Sequence, residues 1–238
     1  MGILFLGSNF ANICCHMIQF FAKYKFLGIV LAILSVIIII SIYSILKPTP
    51  RLDIHQPAGF NAELVDSTIQ HVKKYHKIAD FNLTNQNGIT ITQDTYKDKI
   101  YVADFFFTTC QTICPIMTDN MGYIQEQLKN DMDVMLLSHS VTPEIDSVRQ
   151  LKRYALEKGV DDQKWNLVTG DRKQIYTLAR KSYLAVKDYP DIEQYGMIHT
   201  ENFILVDKKK RIRGIYDGTN TEEIESLLKD IEILKKEQ

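Results

Sequence analysis

Hydrophobic and polar positions follow three rhythms along this chain, and the first is unbroken. Residues 26–46, FLGIVLAILSVIIIISIYSIL, form a run of 21 whose only polar side chains are three serines and one tyrosine. As a helix rising 1.5 Å per residue this run reaches about 31 Å, the hydrocarbon thickness of a bilayer. A cleaved leader has a shorter apolar region ending at small residues, whereas Lys47-Pro48 follows here. The pattern predicts a transmembrane helix over 26–46. The preceding residues 1–25 are apolar but broken by Asn9, Asn12 and His16. They read as an amphipathic lead-in, or as translation from a start codon upstream of Met17, and the neighbouring Cys14 and Cys15 are assigned no chemistry.

A short irregular stretch comes next. KPTPRLDIHQPAG, residues 47–59, holds three prolines and one glycine with no period, and predicts a linker over 47–75. From residue 76 to 238 the texture is that of one globular domain. FNLTNQNG (81–88) reads as a strand turned by the two-residue hairpin signal Asn87-Gly88, and ITITQDTYKDK returns from it. IYVADFFF (100–107) and MDVMLLSHSV (132–141) are nearly continuous apolar runs, the texture of strands covered on both faces.

Between and after them the period lengthens to that of helices. MTDNMGYIQEQLKN follows the first run, and TPEIDSVRQLKRYALEKG (142–159) predicts a helix capped by Thr142, with Pro143 at its first position and Gly159 at its stop. WNLVTG (165–170) is a strand and DRKQIYTLARKSYL (171–184) a helix capped by Asp171. ENFILVD (201–207) and RIRGIYDG (211–218) pair about Lys208-Lys209-Lys210, and TNTEEIESLLKDIEILKK closes the chain as a helix. The order β-β-β-α-β-α-β-α-β-β-α predicts a layered α/β sheet with helices on both faces. Its closing unit, two hairpin-linked strands and a helix, is the C-terminal half of a thioredoxin-like domain. The fold expected is a thioredoxin-like three-layer sandwich with an N-terminal β-hairpin extension, preceded by one transmembrane helix.

Charge sharpens the partition. The chain has 28 Lys+Arg and 29 Asp+Glu, of which residues 1–50 hold only Lys23, Lys25 and Lys47. That leaves 25 basic and 29 acidic residues in 51–238, a net of -4. No basic excess marks a nucleic-acid binder. Lysines on both sides of the span nearly balance the positive-inside rule, and a single N-terminal span before a large domain favours that domain on the non-cytoplasmic side.

Candidate chemistry gathers at Cys110 and Cys114. They lie at the turn from the central strand into a helix, where an open α/β sheet places its ligands. Thr108 or Thr109 can cap that helix and Pro115 fits its first turn. Free amides and the helix dipole favour a thiolate at Cys110. A four-residue step sets both sulfurs on one face, with Cα atoms roughly 6 Å apart if the step is helical, near the upper end of the disulfide window. Oxidation to a disulfide and a two-thiolate clamp on a metal both remain open at this point. Of six histidines, His199 in YGMIHTENFILVD is placed best, because the loop before a late core strand packs against the cysteine-bearing helix in a thioredoxin-like layout.

FFFTTCQTICPIMT (105–118) resembles the signature of the Sco/SenC family, membrane-anchored thioredoxin-fold copper proteins that help assemble the dinuclear copper centre of cytochrome c oxidase. The resemblance covers roughly residues 78–230 and the anchor, taking in SVTPEID (140–146), VTGDRKQIYTLA (168–179) and the late histidine before NFILVD. It implies copper, Cu(I) or Cu(II), on Cys110, Cys114 and His199. It also implies, as partners, the oxidase subunit carrying the dinuclear copper site, other copper chaperones and thioredoxin-like reductants. Two departures stand out: Thr142 where the family often has the Asp of Asp-Pro-Glu, and Ile198 where it often places Asp before the histidine. His139 either compensates or, as strand-end histidines commonly do, faces solvent.

Two rivals belong to other classes. A thiol–disulfide oxidoreductase usually carries C-x2-C opposite a cis-proline, but the loop 195–200 holds no proline. Reduction of copper-ligand cysteines by the same dithiol stays open. A thiol peroxidase would want Thr and Pro where Phe107 and Ala103 stand. Two thiolates and an imidazole suit copper and also zinc. Copper is preferred on the resemblance.

Overall fold

The computed structural model describes residues 6–48, 50–60, 65–185 and 200–237, with side chains from Lys23 onward. It divides into two compact units, residues 1–50 and 51–238. The first holds helix α1 (Leu6–Leu46), whose backbone leaves helical geometry at Tyr24 (φ −108°, ψ 15°). Within it Lys23–Leu46 is long and apolar enough to cross a membrane. Ile33, Ile37, Ile40 and Leu46 are all exposed, so no core among the described residues accounts for that apolar surface.

The second unit is built on one seven-stranded sheet. Its strands are β1 (Asn82–Asn85), β2 (Thr90–Thr92), β3 (Ile100–Phe106), β4 (Val134–Ser140), β5 (Trp165–Thr169), β6 (Asn202–Val206) and β7 (Ile212–Asp217), in the order β2-β1-β5-β4-β3-β6-β7. Strands β3, β4 and β5 are parallel, and β6 joins β3 antiparallel with Ala103 opposite Ile204. Helices α2 (Ile113–Gln127), α3 (Val148–Lys158) and α5 (Thr221–Lys236) bury Met117, Met121, Leu151, Ile224, Leu227 and Ile231 in the core on one face. Helix α4 (Arg172–Thr177) and the turns after it bury Ile175, Leu178 and Tyr183 in the core on the other. This is the thioredoxin-like sandwich with an added hairpin that the hydrophobic rhythm predicts.

Three local details differ from expectation. The hairpin loop has three residues, Gln86 to Gly88, closed by Asn85 and Ile89, with Gly88 at φ 76° in the left-handed region that suits a bulged three-residue turn. Helix α3 starts at Val148 rather than after Thr142: its cap is Ser147, which accepts from the Gln150 amide at 3.3 Å, while Gly159 ends it at φ 67°. The third concerns residues 51–60, expected within a linker, which lie on the domain instead. Pro57 is buried and the His55 amide donates to the Ile212 carbonyl at 2.9 Å. Arg213, 4% exposed, anchors this strap by donating to the carbonyls of Leu52 (2.6 Å) and Asp53 (3.1 Å) while pairing with Asp207 and Glu237.

Candidate metal and thiol centre

Strand β3 is buried along its whole length, so it can deliver the chain to a fixed point at its carboxyl end. There Thr108 is tied down twice: its amide and hydroxyl donate to the Asp146 carboxylate at 3.2 and 2.5 Å. The same carboxylate, 0% exposed, accepts from the hydroxyls of Ser140 (2.6 Å) and Thr142 (3.0 Å). Asp146 therefore welds the loop after β3 to the loop after β4. Thr142, expected as a helix cap, serves this knot instead.

The cysteines follow that weld. Cys110 precedes the first residue of α2 by three and lies in the loop, partly exposed, not on the helix as the four-residue step predicted. Cys114 is in the first helical turn and only 3% exposed, packed with Phe106 and Met117 in the core. Thr112 is the helix cap but its side chain makes no capping bond, and Pro115 has no amide to offer. The Cys110 sulfur fills this gap. Burial works against its ionisation, but the Thr112 hydroxyl, the amides of Thr112 and Cys114 and the Cys114 thiol together lower its pKa to about 7. Burial pushes Cys114 the other way, up to about 12, with the neighbouring Cys110 and Asp104 adding to the rise against a backbone bond from Phe107. Both thiols are free.

Asp104 was missed by sequence reasoning. It sits in β3 on the side of Val102 and Phe106, the side that Cys114 faces, and is 2% exposed. Burial raises its pKa to about 7, only partly offset by a hydrogen bond from Ser138, and its Oδ1 has no partner among the described residues. A lone charged residue inside an apolar strand is the signal that marked it.

His139 is the clearest correction. It is 0% exposed, not solvent-facing, and stacks on Phe105 at 4.8 Å with Tyr183 and Phe81 edge-on. Those rings belong to the core on the sheet face opposite Cys114, so His139 cannot join the thiols. Desolvation lowers its pKa to about 4 against a bond to the Asp104 carbonyl.

His199 and Ile198 lie outside the described residues. Because β6 is antiparallel to β3, the chain enters β6 at the end of the sheet where β3 leaves for Cys110. Among the described residues no third His, Cys, Asp or Glu joins the two thiols in a metal-binding group. The donors present, the free thiol of Cys110 in an accessible loop and that of Cys114 buried beside it, fit a soft metal ion.

Comparison with known proteins bears on this arrangement. The SCO1/SenC family model matches residues 69–235. The SCO1 protein homolog of Bacillus subtilis is 32% identical over 158 residues, 66% of this chain and 81% of that protein. A solved structure of BsSco, described as a member of the Sco family of cytochrome c oxidase assembly proteins with a disulfide switch, superimposes with TM-score 0.57 at 32% identity, covering 66% of this chain and 92% of that one. Copper-bound ScoI of Bradyrhizobium japonicum gives TM-score 0.52 at 27% identity, covering 65% and 98%.

Proposed function

Because the chain belongs to the SCO1/SenC family, we propose that it is a membrane-tethered copper-binding protein acting in cytochrome c oxidase assembly, with Cys110, Cys114 and His199 as its copper donors. The observation that carries this is the pair of free thiols at the end of β3, one near neutrality and accessible, the other buried and protonated. Bound copper would supply a soft, one-electron-active centre that can be passed to thiolate and imidazole sites of a client. The protein's own part is to hold the donors and manage their protons. Near neutral pH Cys110 is the readier thiolate and Cys114 keeps its proton, so ligation by both sulfurs releases protons and tightens as pH rises. The knot around Asp146 keeps the Cys110 loop from drifting, which lowers the ordering cost of binding.

The same split of acidities favours a second reading, reduction of the copper-ligand cysteines of the oxidase subunit. A thiolate near neutrality attacks a disulfide, and a buried neighbour then resolves the mixed disulfide. The client in both readings is the subunit bearing the dinuclear copper site, and copper chaperones or thioredoxin-like reductants would reload the dithiol. Helix α1 is the anchor, with the domain on the non-cytoplasmic side.

Titrating one variant twice separates the readings. In His199→Ala, copper delivery expects weaker copper binding with the dithiol reduction potential barely moved. A purely reducing role expects normal copper uptake and a shifted potential or exchange rate. Copper affinity unaffected by the substitution would remove His199 from the site.

A further inference from the structure

The domain's charge is not evenly spread. Residues 51–238 carry a net of -4, yet a cleft of about 440 Å³ between the strap and the β6–β7 turn has no acidic residue in its lining. Lys73, Lys74, Lys77 and Lys209 line it, all exposed, and none forms an ion pair with a described residue. Nearby cations are already neutralised: Lys210 pairs with Asp80 at 2.6 Å, and Arg211 with the buried Asp207 at 2.6 Å. Among the described residues Asp53 is the one carboxylate on the adjoining rim.

Two apolar side chains stand out among these lysines. Ile54 is 42% exposed and Tyr75 is 89% exposed. The Tyr75 backbone has φ 66°, a left-handed conformation that a bulky aromatic residue rarely adopts, and its ring stands in solvent beside a cleft that Lys74 and Lys77 also line. Uncompensated lysines flanking an outward aromatic ring match a bilayer interface, where anionic headgroups meet the cations and the amphipathic ring sits at headgroup level.

Chain length brings this face within reach of a bilayer. Ile54 follows Leu46, the last residue of α1, by eight residues, a reach of at most about 28 Å. The strap that carries Ile54 is fixed to the domain by Arg213, so the tether cannot lengthen by peeling 52–55 away without breaking the hydrogen bonds that Arg213 and Glu237 make to the Leu52 and Asp53 backbone. We propose that the face formed by Lys73, Lys74, Lys77, Lys209, Tyr75 and Ile54 rests on an anionic phospholipid surface and holds the domain in a preferred orientation on its membrane. This rests on α1 being the anchor. Because the β6–β7 turn lies at the end of the sheet opposite Cys110, this orientation holds the Cys110 loop away from the lipid, toward the water-exposed part of a membrane-anchored client.

The experiment uses the full chain in lipid nanodiscs with Tyr75→Trp and brominated acyl chains as quencher. Trp165, 1% exposed, stays out of reach and serves as the internal reference. Discs containing anionic phosphatidylglycerol should quench the introduced indole, and discs of phosphatidylcholine alone should not. Each lysine near such a surface shifts the contact equilibrium about fivefold. Adding Lys73→Glu, Lys74→Glu and Lys77→Glu should therefore cost at least about a hundredfold and restore the emission, as should high salt. These lysines make no ion pair with described residues, so an unchanged thermal midpoint is the expected check on folding. Equal emission in both disc types, or quenching that survives the charge reversals, overturns the contact. A chain recovered outside the discs refutes the anchor and the contact with it, while a chain inside the discs without quenching refutes the contact alone.

Discussion

Replacing Asp104 by Asn should remove the loss of stability that the wild-type carboxyl brings as pH rises from 4 to 8. The wild-type carboxyl is 2% exposed, and burial holds its pKa at about 7 against 3.8 in an unfolded chain. Between those values the unfolded chain has lost its proton and the folded one keeps it. Asp104's contribution is thus fully present below about pH 3.8 and is lost as pH rises through about 7. Three pKa units correspond to about 4 kcal/mol, a large share of the stability of a single domain. Asn cannot ionise. It puts an amide beside Ser138 and a polar atom where Oδ1 already lacks a partner, a pH-independent cost of about 1 kcal/mol. Urea unfolding of the reduced protein and its Asp104→Asn variant from pH 4 to 8 tests this directly. The variant should be slightly less stable at pH 4 and more stable by about 3 kcal/mol at pH 8. Because an ionised Asp104 also raises Cys114, the Cys114 pKa should fall below about 12 in the variant. A stability difference that stays constant across the range would refute the reasoning, since it would mean Asp104 ionises equally in both states.

His139 should behave with the opposite sign. Its folded pKa of about 4 lies below the unfolded 6.5, so its contribution is present above pH 6.5 and lost as pH falls through about 4, on the order of 3 kcal/mol. His139→Phe, stacked on Phe105, should remove that acid loss, read as a stability that gains about 2 kcal/mol on wild type between pH 6.5 and 4.5; a difference from wild type that stays constant over that range would count against it. Arg213→Ala should cost about 3 kcal/mol, because Glu237 loses the Arg213 cation and buried Asp207 keeps Arg211 alone. It should also release the strap, with Leu52 to His55 losing hydrogen-exchange protection ahead of the rest of the domain, and protection equal to wild type would show the latch to be dispensable.

How far the sequence reveals this protein depends on how local the governing interactions are. Strands β3 and β4 are legible because continuous apolar runs such as IYVADFFF suit little else, and Gly88 and Gly159 mark turns by their own backbone freedom. The start of α3 is not legible, because Thr142-Pro143 and Ser147 both offer a cap and the choice is made by Asp146 drawing Thr142 and Thr108 into one knot. His139 misleads because β4 is buried on both faces, so alternation says nothing about where a polar side chain points. Arg213 lies in an alternating strand whose partners, Leu52 and Glu237, are 161 and 24 residues away. The dithiol itself is visible as a spacing, but its asymmetry arises from where α2 begins, at Ile113 and not at Cys110.

Counting the donors on bound copper tests the central claim most directly. The full chain loaded with Cu(I) should show, by X-ray absorption, two sulfur donors and one imidazole nitrogen, and the Cys114→Ser and Cys110→Ser variants should each retain no tightly bound metal. Unchanged copper stoichiometry in either variant, or a first shell without sulfur, would contradict the assignment of Cys110 and Cys114 as the copper-holding dithiol.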